Sequence, residues 1–347
     1  MDIVFRVDAS TQVGTGHLMR CLTLAALLRN SQAAVSFLCR ELPANVKALV
    51  SHQYPLRSLP AGPFLAEEDA AQSISLISGS HHPDWLVIDG YDFGLDWESA
   101  IRTHVKRIFV IDDLANRSHD CDVLLDQNLC SNYLTRYDHL VPSHARKLLG
   151  PQYALLRPEF YEERRRLRTR DGEIRRILIG FGGGDATDET TKALDAMLLL
   201  DRPDIQLDVI CGPANPHAEA VRNRCALLPN ARFHQNAANM AELMAAADLA
   251  IGAGGTSTWE RCLLGLPAIT LVVAENQRPV CEAMDSAGAV INLGWHTAVT
   301  AQDIARAVKR LLNSPERVRR MGDAASGIMG QYGTEGRDEL LQTMLHA

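Results

Sequence analysis

Among the twelve histidines of this 347-residue chain, His17 has the setting best suited to chemistry. It follows Gly14 and Gly16, after the short apolar run Ile3–Val7 and at the start of the helical period Gly16–Arg29. The positive end of a helix disfavours imidazolium, leaving a neutral ring that can take a proton from water. A helix-capping or merely solvated histidine is the alternative. Three glycine-rich segments sit where strands should pass into helices: Gly14-Thr15-Gly16-His17, Gly182-Gly183-Gly184-Asp185 and Gly252-Ala253-Gly254-Gly255-Thr256-Ser257-Thr258-Trp259-Glu260. Glycine lets backbone amides approach a phosphate, and the following helix adds unpaired N–H donors. Together they point to an anionic ligand. In the third loop, Ser257 and Glu260 have capping-box spacing. The same spacing would let Ser257 and Thr258 meet a diphosphate while Glu260 reaches the ribose hydroxyls.

Several chemistries are excluded or disfavoured. A dinucleotide fingerprint needs a third glycine where Met19 stands, although Glu41 lies near the position of a ribose-binding acid. No G-x-x-x-x-G-K-[ST] and no G-x-S-x-G occurs. No His/Asp/Glu set has metal-ligand spacing such as H-E-x-x-H, so neither a metal nor another cofactor is expected. The eight cysteines form no C-x-x-C pair and mostly lie in apolar runs, as reduced structural thiols do. His81, His82, His104, His119, His139 and His144 read as loop or surface residues.

The elements that must position these residues alternate between short apolar strands and helical periods. Strands are expected at Ile3–Val7, Ala34–Leu38, Trp85–Ile88, Arg107–Ile111 and Asp122–Leu125. After a bridge containing Arg164, Arg165, Arg166, Arg168, Arg170, Arg175 and Arg176, read as a solvated helix end and linker, the pattern restarts. Strands then follow at Ile174–Ile179, Leu207–Cys211, Ala231–His234, Leu249–Ile251 and Ala268–Val272. Helices are expected between them at Glu189–Leu200, Pro216–Leu227, Met240–Ala247, Ser257–Leu264 and Asn276–Ala287. Such alternation implies parallel sheets with ligands beyond the carboxyl ends of the strands. The length suits two domains, expected at 1–165 and 174–330, with a C-terminal helix in 331–347 packing back on the first. Thirty-five basic against 42 acidic residues leave a formal charge of −7, which argues against nucleic acid as a partner. No apolar run approaches a membrane span, and the first residues are not expected to form a signal peptide. A cytoplasmic protein is expected.

Phe5-Arg6-Val7-Asp8-Ala9-Ser10, Gly14-Thr15-Gly16-His17 and Met19-Arg20-Cys21 together resemble the opening of one enzyme family. The resemblance continues through Ile88-Asp89-Gly90-Tyr91, Ile111-Asp112-Asp113, Leu125-Asp126-Gln127-Asn128, Gly182-Gly183-Gly184-Asp185, Gly254-Gly255-Thr256-Ser257 and Glu275-Asn276-Gln277. The family is that of the UDP-2,4-diacetamido-2,4,6-trideoxy-β-L-altropyranose hydrolases of pseudaminic acid biosynthesis. The resemblance implies a GT-B-like α/β fold, with two doubly wound, Rossmann-like domains facing across a cleft. It also implies an inverting hydrolysis that releases UDP, as used in flagellin glycosylation. By the same resemblance His17 is the catalytic base, and Gly16, Tyr91, Asn276 and Gln277 lie at the substrate. UDP would sit on the second domain, at Gly183, Gly255, Thr256, Ser257, Thr258 and Glu260. Asn276 could instead be a helix N-cap, and Tyr91 a loop support. Asp8, Asp89, Asp112 and Asp113 are all candidates to orient His17. The competing classes are a GT-B glycosyltransferase, a silent nucleotide-sugar binding module and a non-hydrolysing epimerase.

Overall fold

The computed structural model describes residues 1–9, 16–40, 42–77, 82–212, 214–330 and 334–346. Ser10, Gly14, Thr15, Glu41 and His81 therefore lie outside the described residues. The chain divides into two compact units. The first comprises Met1–Asn128, Asn132–Leu155 and Thr334–Ala347; the second comprises Leu129–Ser131 and Leu156–Gly333.

In the first unit the order is β1 (Asp2–Val7), α1 (Gly16–Asn30), β2 (Ala34–Cys39), α2 (Ala44–Gln53), β3 (Leu56–Ser58), α3 (Ala66–Ile77), β4 (Trp85–Asp89), α4 (Leu95–Ile101), β5 (Ile108–Ile111), β6 (Val123–Asp126) and β7 (Arg146–Leu149). The second unit runs α5 (Pro158–Arg165), β8 (Arg176–Gly180), α6 (Glu189–Leu200), β9 (Gln206–Cys211), α7 (Ala218–Cys225), β10 (Ala231–Gln235), α8 (Met240–Ala246), β11 (Leu249–Ala253), α9 (Ser257–Leu263), β12 (Ala268–Val272), α10 (Arg278–Ser286), β13 (Val290–Trp295), α11 (Ala301–Leu312) and α12 (Pro315–Ile328). The last helix, α13 (Glu335–Leu345), returns to the first unit.

Both sheets are parallel, with strand orders β3-β2-β1-β4-β5-β6-β7 and β10-β9-β8-β11-β12-β13. Each order reverses once, between β1 and β4 and between β8 and β11. Such switch points open a crevice at the carboxyl ends of their two strands. In the first unit they are followed by His17 and the Gly90-Tyr91 loop, and in the second by Gly182–Asp185 and Gly254–Ser257. The anticipated strands all appear, within two residues at either end. The unanticipated β3, β7 and β13 are all edge strands with partly exposed residues, which lack the continuous apolar run that marks a strand buried on both faces.

Helix α1 buries Leu18, Cys21, Leu22, Ala25 and Leu28, as its period requires, and also Leu24. α13 adds Leu340 and Met344 to the same core. Trp85 Nε1 donates to the Met344 carbonyl at 3.0 Å. Gly336 is pressed so closely on the chain that a Cβ there would lie 2.1 Å from the Gln152 carbonyl.

The arginine-rich bridge is not a solvated linker. Arg164 donates to the Leu263 carbonyl, and Arg168 donates to Ala246 O and pairs with Asp248. Arg170 donates to Met244 O, Ala247 O and Leu264 O at 3.1, 2.8 and 2.6 Å. These carbonyls end α8 and α9, where the last turn of a helix has no internal donors. Arg165 and Arg166 remain exposed. Replacing Arg170 with Met should destabilise the second unit by ~2–4 kcal/mol, because several buried acceptors lose their donor together. Denaturant unfolding monitored by circular dichroism measures this loss.

Candidate active site

His17 stands in the first turn of α1, where its Nδ1 lies 2.9 Å from Asp89 Oδ1. Asp89 closes β4, the strand across the switch point from β1. Arg20, one helical turn beyond His17, holds the same carboxylate in a fork: Nε to Oδ2 at 2.6 Å and Nη2 to Oδ1 at 2.7 Å. The Cys21 thiol donates to Oδ2 at 3.5 Å. Asp89 is fully buried. Burial opposes its charge, but Arg20 and His17 outweigh that and hold its carboxyl well below the usual range. Among the four acids considered for orienting His17, Asp89 is the one in contact.

The other three acids have separate tasks. Asp8 accepts from Arg6 Nη1 at 2.7 Å and from the Arg40 amide at 2.6 Å. Arg6, wholly buried on β1, also meets Asp69 of α3 at 2.8 Å. Asp113 takes Arg20 Nη1 at 3.0 Å and hydrogen-bonds Tyr91, whose phenol is pushed up by burial and by that carboxylate. The Tyr91 ring packs edge-on against His17, with centroids 4.6 Å apart. Tyr91 therefore supports the histidine directly. Asp112 accepts from Ala115 N and Tyr137 Oη, both at 2.8 Å, and pairs with Arg117 at 2.9 Å. Arg117 also donates to Gly90 O at 3.0 Å, fixing the loop that carries Tyr91. His119, expected in a loop or at the surface, lies in a loop but is buried, with Nδ1 2.7 Å from Glu98 Oε1. A lone histidine in a polar stretch gives no sign of that partner, which is distant in sequence.

In the second unit, α9 begins at Ser257 and its N-cap is Thr256, with no side-chain capping bond. The capping box expected of Ser257 and Glu260 is absent, because Glu260 is turned to Arg157. Arg157 donates to Glu260 Oε1 through Nε at 3.3 Å and Nη2 at 3.0 Å. Burial raises the Glu260 carboxyl, and Arg157 works against that rise. Thr258 is buried, whereas Thr256 is exposed and Ser257 half-buried. Gly254 is required by close approach: a Cβ there would lie 2.2 Å from Cys281 Sγ. Gly255 has space, with Gln277 Nε2 3.8 Å from its ideal Cβ. Gln277, not Asn276, is the N-cap of α10; both residues lie on the turn after β12 and are half-buried. Gly183 packs so tightly on Gly212 that a Cβ on the latter would meet it at 2.4 Å. The first amides of α6 are occupied by Asp185, which accepts from Glu189 N at 2.9 Å and Thr190 N at 3.0 Å. The second glycine loop therefore serves backbone packing, and its helix end already holds a carboxylate.

Sequence reasoning missed Arg20, Arg157 and Arg261 at these sites. Arg20 and Arg261 were legible only as charges inside otherwise apolar helical periods. Arg157 is remote in sequence from the acid it holds.

Residues 181–334 match the model of the glycosyltransferase family 28 C-terminal domain. The UDP-2,4-diacetamido-2,4,6-trideoxy-beta-L-altropyranose hydrolase of Campylobacter jejuni is 30% identical over 247 residues, covering 70% of this chain and 81% of that protein. An uncharacterized protein of Methanocaldococcus jannaschii, MJ1062, is 28% identical over 285 residues, covering 80% of this chain. The aligned part spans only 57% of that archaeal relative. Among solved structures, MurG of Acinetobacter baumannii superposes with a TM-score of 0.68 at 14% identity, covering 100% of this chain and 99% of that one. At that identity the likeness is one of fold, and the fold is GT-B.

A buried acid beside this cluster gives the site a pH dependence. Asp126, at the end of β6, is pushed up to about 7 by burial and by the neighbouring Asp113 and Asp112, against the pull of Arg136. An acid raised in the folded state contributes stability below its ordinary value of 3.8 and loses it as pH rises through about 7. Denaturant midpoints should therefore fall as pH rises through that window. Asp126→Asn should reduce the fall by ~1–3 kcal/mol.

Proposed function

Because this chain belongs to the family of the UDP-2,4-diacetamido-2,4,6-trideoxy-β-L-altropyranose hydrolases, we propose that it hydrolyses that UDP-sugar to UDP and 2,4-diacetamido-2,4,6-trideoxy-L-altrose. The reaction would cleave the anomeric C–O bond with inversion, as a cytoplasmic step of pseudaminic acid biosynthesis. The observation that carries the reading is the pairing of His17 with Asp89 at the switch point of the first sheet. A carboxylate at Nδ1 selects the tautomer protonated there and leaves Nε2 as the base. Nε2 takes a proton from water, whose oxygen bonds to the anomeric carbon from the face opposite UDP. The bond to the diphosphate oxygen breaks, and its electron pair leaves with UDP. Ordinary inverting glycosidases need a carboxylic acid to protonate the leaving group. UDP departs as a stable anion, so a base together with donors at the diphosphate suffices.

In this reading the loop from Gly255 to Ser257 holds the diphosphate, with Thr258 supporting it from beneath. Glu260 receives the ribose: both Arg157 bonds fall on Oε1, leaving Oε2 to accept from sugar hydroxyls. Asn276 and Gln277, beside the same loop, and Gly16 and Tyr91, beside His17, complete the substrate contacts. Gly183 contributes through the backbone shape of its loop. No helix among the described residues is long and apolar enough to cross a membrane, and the eight cysteines are buried free thiols.

The family 28 match gives a second reading some support, since a sugar transferase can share both fold and UDP site. Incubation of the purified protein with the UDP-sugar and no acceptor separates the two. Free sugar and UDP released in equal amounts support hydrolysis; turnover only after an acceptor is added supports transfer. His17→Asn should lower turnover by about a thousandfold while calorimetric UDP binding persists. Arg157→Ala, which frees Glu260 to neutralise, should weaken UDP and uridine alike by about tenfold.

A further inference from the structure

Arg261, on α9, is a cation in an unusual state. It is only 4% exposed, and among the described residues it forms no ion pair. Its guanidinium donates instead to neutral oxygens of one loop. Nη2 reaches Ala253 O at 2.9 Å and Thr258 Oγ1 at 3.0 Å, and Nη1 reaches Ser257 Oγ at 3.3 Å. Burial lowers its pKa, and the charge of Glu260, which is near but not in contact, offsets only part of that. The other buried arginines of the chain are balanced: Arg6 by Asp8 and Asp69, and Arg20 by Asp89 and Asp113. A charge removed from water with no carboxylate in contact is costly, and a further anion beside its hydrogen-bonded loop would complete it.

The donor pattern shows what completes it. A hydroxyl has one hydrogen and two lone pairs. When Arg261 occupies a lone pair on Ser257 Oγ, the hydroxyl hydrogen is directed away from the guanidinium. Ser257 is half-buried and next to exposed Thr256, so that hydrogen remains accessible. An anion at Ser257 would receive this O–H bond and, through it, the polarisation of the cation beneath.

We propose that Arg261 is the positioning residue of a diphosphate subsite: it orients the Ser257 hydroxyl as a donor and supplies the charge that a nucleoside diphosphate balances. This rests on the reading above that UDP binds at this loop. It adds a cation that works from below without touching the ligand, so its loss should affect the diphosphate and spare the nucleoside.

The test is calorimetric titration of the full chain with UDP and with uridine, for wild type, Arg261→Met, Arg261→Lys and Ser257→Ala. Arg261→Met should weaken UDP binding by about tenfold or more while leaving the uridine constant unchanged, so that the ratio of the two collapses. Arg261→Lys, which keeps the charge and loses the fork, should fall between. In the Ser257→Ala background the Arg261→Lys change should have a smaller effect on UDP, because the two act through one hydrogen bond. If Arg261→Met does not fold, the Lys variant and its pairing with Ser257→Ala carry the test. Equal losses for UDP and uridine would make Arg261 a purely structural residue and overturn the proposal. Unchanged UDP affinity would overturn it as well. If the wild type binds uridine but gains nothing from the diphosphate, this proposal alone falls. If it binds neither, the reading of UDP at this loop falls with it.

Discussion

The carboxylate of Asp89 is the point on which the first unit turns. It has no exposure and stands where β4 ends, so its charge persists only because Arg20 and His17 surround it. Removing that carboxylate leaves Arg20 only Asp113, and breaking a buried pair typically costs ~3–5 kcal/mol. The same contacts fix the angle at which α1 leaves β1, since Arg20 and His17 lie on successive turns and meet one side chain. His17, Asp89 and α1 are therefore a single mechanical unit. Asp113 and Tyr91 extend it to the loops after β5 and β4, and Arg117 ties those two loops together. The network holds the His17 ring in place, as the proposed role of a general base would require.

The two units use arginine in three physically distinct ways. Arg6 and Arg20 neutralise buried carboxylates, Asp69 on α3 and Asp89 at the end of β4. Arg164, Arg168 and Arg170 close the carbonyl ends of α8 and α9, which braces the helix carrying Glu260. Arg157 and Arg261 attend the N-terminal end of that same helix, one beside the acid and the other beneath the hydroxyls. On the proposed reading, this placement is how a chain of net charge −7 would suit a diphosphate. Positive potential is concentrated by burial at one loop, where the local dielectric makes it count.

How much of this was legible beforehand depended on the range of the interaction. The strand and helix alternation, the parallel sheets and the core face of α1 follow from periodicity, because side chains three, four or two residues apart share a face. His17 and the glycine loops were found for a similar reason: a helix N-terminus and a close backbone approach are local demands. The edge strands escaped because exposure removes the apolar run, and His119 escaped because its partner Glu98 is distant in sequence and belongs to α4.

The sequence by itself therefore determined the class of fold, the family and the list of residue types available for chemistry. Tertiary structure alone decided which of four aspartates meets His17, that Glu260 pairs with Arg157 rather than capping its own helix, and that Asp185 rather than a ligand fills the start of α6. It also decided that Arg261 has no carboxylate in contact among the described residues. The physical reason is common to all four. A carboxylate or a guanidinium can satisfy many partners equally well in a sequence, and only packing, by removing water, makes one choice exclusive.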